Sequence, residues 1–321
     1  MEANLFEAIR LRCAEVSRRA RYVRVDREAL RALAARFART LIPLPNYDEK
    51  YHYRSAPEET AAYVITLDAI NFGSGYFPHL AKRPGLSGYL TVASALKAAF
   101  ETRGPLAAGE LSEIRAEGCA ALLGQALAGP EVHELMELYA SALRDLGRFV
   151  EENFSGCFSE LIRAADTSAE ALVRLLSQLR DFRDVARYEG LEVPFYKRAQ
   201  ITASDLAQAF DGRGLGTFRD LESLTLMADN LVPHVLRVEG VLIAAPELAA
   251  RIEREEGIPW GCAEEVELRA AAVHAVEGLV ADLRQRGIET SARRLDHYLW
   301  WSGQRPEVKA HPRHRTRCTY Y

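Results

Sequence analysis

The chain has few cysteines and pairs none of them. Its five thiols, Cys13, Cys119, Cys157, Cys262 and Cys318, lie far apart, are odd in number and form no C-x-x-C unit. That argues against a zinc knuckle or a disulfide framework and fits idle thiols in a reducing cytosol. Long apolar runs are missing too, since no stretch of the sequence approaches the roughly 18 residues a membrane span needs. The first twenty residues carry Glu2, Glu7, Arg10, Arg12, Glu15, Arg18 and Arg19, which leaves no apolar core for a secretory signal. Glycine and proline are slightly scarce, at 21 and 13 of 321 residues, so tight turns are few and the chain leans helical. Nor is there an excess of positive charge. Lys and Arg number 41 against 45 Asp and Glu, a net −4, which is a weak basis for gripping long nucleic acid through its phosphates. H-E-x-x-H, G-x-S-x-G, G-x-G-x-x-G and G-x-x-x-x-G-K-[ST] are all absent. The loop Gly212-Arg-Gly-Leu-Gly216 follows a helical run instead of a strand and reads as a turn. The histidines are scattered, so no metal is expected.

What is present is a soluble globular composition, 48% hydrophobic and 27% charged, long enough for a sizeable core. Helical periodicity dominates. It predicts helices over 3–20, 27–41 with Asp26 as N-cap, a helix opened by Pro57, and further helices over 90–103, 130–153, 165–180, 195–210, 221–228, 246–256, 262–286 and 290–302. Only Tyr22–Val25 and Val238–Ile243 have the character of strands. With no repeat and no linker, the expectation is a single compact, all-α domain over 1–321 with minor short strands.

Four segments carry unusual chemistry. Lys197 and Arg198, next to Phe195 and Tyr196, suit a phosphate or carboxylate, or else form an exposed basic first turn. Asp229 lies inside the apolar run Leu224–His234. Pro233 forces a break there, so Asp229 is either a carboxylate in an apolar setting or a cap of the following helix. Asp296 and Trp300, four apart, share a helical face and form a natural cradle for a heterocycle, unless Asp296 is paired with Arg293. The tail from Lys309 to Tyr321 carries His311, Arg313, His314, Arg315 and Arg317 with no acid. It reads as a basic tail by charge and as a packed one by its aromatic end.

Together, Tyr196-Lys-Arg-Ala-Gln-Ile201 with Asp205, the run Leu224 to Pro233 containing Ala228-Asp229, Leu295-Asp296 with Tyr298-Leu-Trp300, and His314-Arg315 with Arg317-Cys-Thr-Tyr-Tyr321 resemble the queuosine salvage proteins over nearly the whole chain. The resemblance implies an all-α hydrolase, related in fold to helix-hairpin-helix DNA glycosylases and built around a central pocket. It implies release of queuine from queuosine 5′-monophosphate in the cytoplasm, with no cofactor, no stable nucleic-acid complex and no membrane. It makes Asp229 the catalytic aspartate, Asp296 the acid that binds the base, and His52 a ligand-binding histidine. Phe72, Met227 and Trp300 are then candidate apolar walls, and Asn230 a further substrate-binding residue. Lys197, Arg198 and the tail arginines are candidates for the 5′-phosphate. Met227 stands where the family usually has an aromatic residue, and Asn230-Leu231 where it often has Tyr-Arg. These departures bear on base stacking and not on the carboxylate. The alternative is a glycosylase acting on a modified base in DNA or RNA, supported by the basic tail and the glycine loop. A non-enzymatic helical scaffold, with Asp229 as a cap, is the third reading.

Overall fold

Helices form where apolar residues recur at helical spacing, and polar caps mark their starts. A computed structural model of the chain describes residues 4–40 and 42–321. The expected helix start at residue 3 and helix end at residue 41 lie outside them. Asn4 caps α1 (Leu5–Arg19), β1 (Val23–Val25) follows, and Asp26 caps α2 (Arg27–Phe37) by accepting from the Glu28 and Ala29 N–H groups. A helical run then comprises α3 (Pro57–Ala69), α4 (Gly88–Arg103), α5 (Ala108–Ser112), α6 (Ala116–Leu123), α7 (Pro130–Phe154), α8 (Phe158–Arg163) and α9 (Ala169–Leu176). A hairpin, β2 (Val185–Tyr188) and β3 (Leu191–Pro194), leads into α10 (Lys197–Ala209). The last stretch holds α11 (Leu231–Val238), β4 (Leu242–Ala244), α12 (Pro246–Glu253), α13 (Ala263–Gln285), α14 (Ala292–Ser302) and α15 (Pro306–Lys309).

The chain divides into two units that alternate along the sequence. The first comprises the described residues up to Pro45, Asp184–Lys197 and Glu222–Arg317. The second comprises Asn46–Arg183, Arg198–Leu221 and Cys318–Tyr321.

The spine of the first unit is α13, which is buried on most of its surface and packs against α1, α2, α11, α14 and β1. A helix enclosed in this way has to satisfy its charged residues internally. Glu267 does so by accepting from the N–H groups of Arg21, Tyr22 and Val23 (3.1, 2.6 and 3.0 Å) and from the Tyr188 hydroxyl (2.8 Å). Burial, with Glu267 adding to it, pushes the Tyr188 phenol up to about 12. β1 pairs antiparallel with β4, placing Val23 opposite Ala244. The β2–β3 hairpin turns through Glu189 and Gly190, both at positive φ, as a two-residue turn requires.

In the second unit α7 is the long element. Gly147 lets α5 cross it closely, because a Cβ there would lie 2.5 Å from the Ala108 carbonyl oxygen. Glu58, in the first turn of α3, caps α8 by accepting from the Phe158 and Ser159 N–H groups (2.7 and 2.9 Å).

The mostly helical class is as expected; Tyr22–Val25 holds β1, only the last two residues of Val238–Ile243 lie in β4, since Val238 ends α11, and the β2–β3 hairpin is not among the expected strands. Two expectations are corrected. Residues 221–228 are not a helix. A single 3-10 turn, Leu221–Ser223, gives way to an irregular strap through Asp229, because partners distant in sequence take its backbone groups. The helix expected from residue 195 begins at Lys197: Pro194 closes β3, and the carbonyl of Asp184 takes the Phe195 and Tyr196 N–H groups (2.9 and 3.2 Å), delaying it. Among the described residues no helix is long and apolar enough to cross a membrane.

Candidate active site

The strap Leu226–Asn230 of the first unit is held at nearly every peptide. The Met227 N–H donates to Asp296 Oδ1 (3.2 Å) and the Ala228 N–H to the Leu226 carbonyl (3.0 Å). The Ala228 carbonyl accepts from Arg269 Nε (2.9 Å). Asn230, 2% exposed, donates from Nδ2 to the His314 carbonyl (3.4 Å).

Asp229 stands where the strap meets α11. Its Oδ1 accepts from the N–H groups of Leu231 and Val232 (2.7 and 3.1 Å), so it is the cap of that helix. Its Oδ2 accepts no hydrogen bond among the described residues and is not among their sealed, unbonded polar atoms. The carboxylate is thus oriented through one oxygen and presented through the other, in an otherwise apolar strap. Arg313 is its charged neighbour. Burial lowers the Arg313 guanidinium from its ordinary range, and the Asp229 carboxylate acts to raise it again.

Asp296 lies in the second turn of α14. Arg293 is engaged by Glu222 (2.6 Å) and not by Asp296, so the alternative in which Arg293 pairs with Asp296 does not hold. α14 lies close against α11 because residue 303 is glycine. A Cβ there would stand 2.8 Å from Leu231 Cγ. Trp300 is half-buried and meets Trp301 edge to face at 5.3 Å, while Met227 is 4% exposed. Lys197, also 4% exposed, opens α10 with its N–H on Asp184 Oδ2 (3.3 Å). The structure therefore gathers Met227, Asp229, Asn230 and Asp296 around one strap and places Lys197 and Trp300 in the same unit.

His52 and Phe72 belong to the second unit. The Asp48 carbonyl can only accept, so His52 Nδ1 carries the proton (3.0 Å) and Nε2 accepts from the Tyr89 hydroxyl (3.0 Å). Burial lowers the His52 pKa, which favours this neutral form. Phe72 is 1% exposed, with Tyr139 edge-on at 4.9 Å and the Arg198 guanidinium over its face at 4.8 Å. Arg198 itself is no exposed phosphate ligand. It is fully buried and donates to the carbonyls of Asp68, Ala69 and Asp181.

The basic tail is folded into the structure. In the first unit, Arg315 pairs with Glu255 and its carbonyl accepts from the Ile258 N–H. His314 is fully buried with neither ring nitrogen hydrogen-bonded, and burial pushes its pKa down to about 3. In the second unit, the Tyr321 carbonyl accepts from the Gly73 N–H (3.0 Å).

The sequence profile of the queuosine salvage proteins matches residues 51–321. The chain belongs to the queuosine salvage protein family. Among its relatives, the queuosine 5′-phosphate N-glycosylase/hydrolase of Sphaerobacter thermophilus is 40% identical over 95% of both chains. The protein of the same name from Dictyostelium discoideum is 35% identical over 82% of this chain and 79% of its own. That of Mus musculus is 30% identical over 84% of each.

Within this queuosine salvage chain, Arg269, which holds the strap, and its partners Asp184 and Glu265 are not among the residues the sequence singles out. Arg269 is completely buried, binds Asp184 through two contacts (3.0 and 2.5 Å), lies 3.5 Å from Glu265 and stacks over Phe195 at 3.9 Å. The signal for Arg269 and Glu265 is a cation and an acid, four apart, inside the apolar run Val266–Val273 and its approach. Asp184 carries no local signal. A groove of about 310 Å³ between α2 and α13, lined by Arg27, Leu30, Arg31, His274 and Asp282 among others, contains none of the residues assigned to the site.

Proposed function

We propose that the chain is an N-ribosyl hydrolase that releases queuine from queuosine 5′-monophosphate, with Asp229 as its catalytic carboxylate. The observation that carries the proposal is the two-sided environment of Asp229, capped on Oδ1 and open on Oδ2, in a member of this family. Cleavage of the ribosyl C1′–N bond builds positive charge on the sugar. A fixed anion beside that carbon stabilises the oxocarbenium-like state. Water supplies the oxygen that bonds C1′, and the base leaves with a proton. The reaction therefore balances without a cofactor. Queuine is a 7-deazaguanine, so protonation at a ring nitrogen in position 7 is closed, and the base has to be held and helped through its other edges.

In this reading Asp296 accepts from guanine-like N–H groups, with Met227 and Trp300 as apolar walls and Asn230 beside them. Lys197 and Arg313 serve the 5′-phosphate. His52 and Phe72 keep the roles the resemblance implies. The proposal treats residues 1–321 as one functional domain, working in the cytoplasm on a small nucleotide without a stable nucleic-acid complex or a membrane. The burial of His314 and the Arg315–Glu255 pair support this over a polymer substrate, because part of the tail's basic character is engaged internally.

Asp229→Asn is the test. Asparagine keeps a capping oxygen for α11 and removes only the charge. Released queuine is expected to fall by about 10²-fold or more. Activity near that of the unaltered protein would overturn the assignment. Steep salt-dependent binding to tRNA would instead favour the polymer reading.

A further inference from the structure

The groups assigned to the reaction do not hold themselves in place. Asp229 is oriented by its own helix, but the peptide before it is fixed from outside by the buried guanidinium of Arg269, whose Nε meets the Ala228 carbonyl at 2.9 Å. The two terminal nitrogens of the same guanidinium grip the two oxygens of Asp184. Asp184 in turn determines how α10 begins. Its carbonyl takes the Phe195 and Tyr196 N–H groups, and its Oδ2 takes the Lys197 N–H. Tyr196 lies at φ 46°, a left-handed conformation that a non-glycine residue keeps only when its surroundings impose it. Phe195 closes one face of the guanidinium at 3.9 Å, and Glu265 stands one turn back on α13.

We propose that Arg269 and Asp184 form a positioning pair for the reaction, setting Asp229 through the Ala228 carbonyl and Lys197 through its backbone N–H. The inference rests on the reading of Asp229 as the catalytic carboxylate. Its physical basis is the fork of the guanidinium. One rigid plane serves two carboxylate oxygens on one edge and a carbonyl on another, a set that a lysine ammonium on a flexible stem cannot reproduce. A loosened Ala228 peptide lets the carboxylate drift from the sugar carbon, and displacements of this kind cost turnover more than they cost ground-state binding. Arg269 and Asp184 touch no reacting atom in this scheme, so their effect has to appear through the residues they hold.

The test uses the full chain and queuosine 5′-monophosphate, with each variant assayed well below its own melting temperature. Arg269→Lys keeps the buried charge beside Asp184 but loses the fork. It is expected to lower kcat by about tenfold or more while KM stays within about threefold. A folded Arg269→Lys variant with kcat close to that of the unaltered protein, or with a changed KM alone, overturns the proposal. The double variant Arg269→Met with Asp184→Leu removes both partners together, and Glu265 keeps the Gly261 N–H, so it is expected to stay folded and to melt above Arg269→Met alone. A merely structural pair would then return full turnover, which also overturns the proposal. A double variant that stays folded with kcat still about tenfold down supports it. Asp229→Asn is run alongside. If it is impaired and Arg269→Lys is not, the proposal fails and the reading of Asp229 stands. If Asp229→Asn turns over normally, that reading fails, whatever Arg269→Lys does.

Discussion

Two arginines of this protein, Arg198 in the second unit and Arg269 in the first, occupy the same kind of place. Both are completely buried, and both lie over aromatic rings, Arg198 at 4.8 Å from Phe72 and from Phe182, Arg269 at 3.9 Å from Phe195. They differ in what they hold. Arg198 gathers the carbonyls of Asp68, Ala69 and Asp181, tying the end of α3 to the turn at Asp181. Arg269 binds the Asp184 carboxylate, has Glu265 at 3.5 Å, and donates to the carbonyl one residue ahead of Asp229. Burial and an aromatic face therefore do not separate a guanidinium that ties elements of the fold together from one that fixes the strap bearing Asp229. The groups that accept its hydrogen bonds do.

The largest effect expected from this contrast is on stability. Arg269→Met strands the Asp184 carboxylate in the interior and should cost about 3–5 kcal/mol in urea unfolding. Arg198→Met leaves carbonyls without their donor and should cost less, about 2–3 kcal/mol. Equal losses, or the reverse order, would erase the distinction.

Acid should separate the units next. The first unit holds His314, pushed down to about 3, and His234, pushed down to about 4, in each case chiefly by burial. An unfolded imidazole titrates near 6.5, so between there and these lowered values the unfolded chain binds more protons than the folded one. Stability is fully present above about pH 6.5 and falls as the pH drops, by up to about 1.4 kcal/mol per pH unit for each histidine. The slope of unfolding free energy against pH should flatten in His314→Leu. An unchanged slope would remove the imidazole as its cause.

The smallest effect belongs to a third arginine. Arg315, paired with Glu255 at the surface, should change stability by no more than about 1 kcal/mol when replaced by Gln, measured the same way. A loss as large as that of Arg198→Met would mean that the tail is held by this pair and not by the packing of His314 and Thr316.

Residue by residue, legibility in the sequence followed the distance to the partner. The Asp26 cap, the start of α3 at Pro57 and the spans of α7, α13 and α14 rest on neighbours within a turn or two, and the periodicity predicts them well. Asp229 was visible as an acid in an apolar run, and its two readings proved compatible, since it caps α11 and presents its other oxygen. Residues 221–228 looked helical because the apolar spacing is helical. What prevents the helix is a hydrogen bond from Met227 to Asp296, 69 residues on, and one to Ala228 from Arg269, 41 residues on. Arg198 was drawn toward the phosphate by its neighbour Lys197, but the helix that carries it is buried there, with Gln200 also fully enclosed. The partnership of Arg269 with Asp184 spans 85 residues and leaves no local trace.

The carboxylate of Glu267 also has a consequence for how the protein is made. It closes on the backbone of Arg21, Tyr22 and Val23, and Tyr22 lies 245 positions ahead of its acceptor. At roughly 5–20 residues per second on the ribosome, that interval is on the order of 10–50 s. For all of it, α1 and β1 have left the peptidyl-transferase centre without the helix they pack against, and the apolar side formed by Leu5, Ile9, Cys13 and Val16 has no lasting cover. Residues 46–183, which the second unit draws from one unbroken stretch, are translated entirely within that interval. The order of synthesis thus lets most of the second unit fold first, and leaves the strap bearing Asp229 among the last parts to set, once Arg269 has emerged.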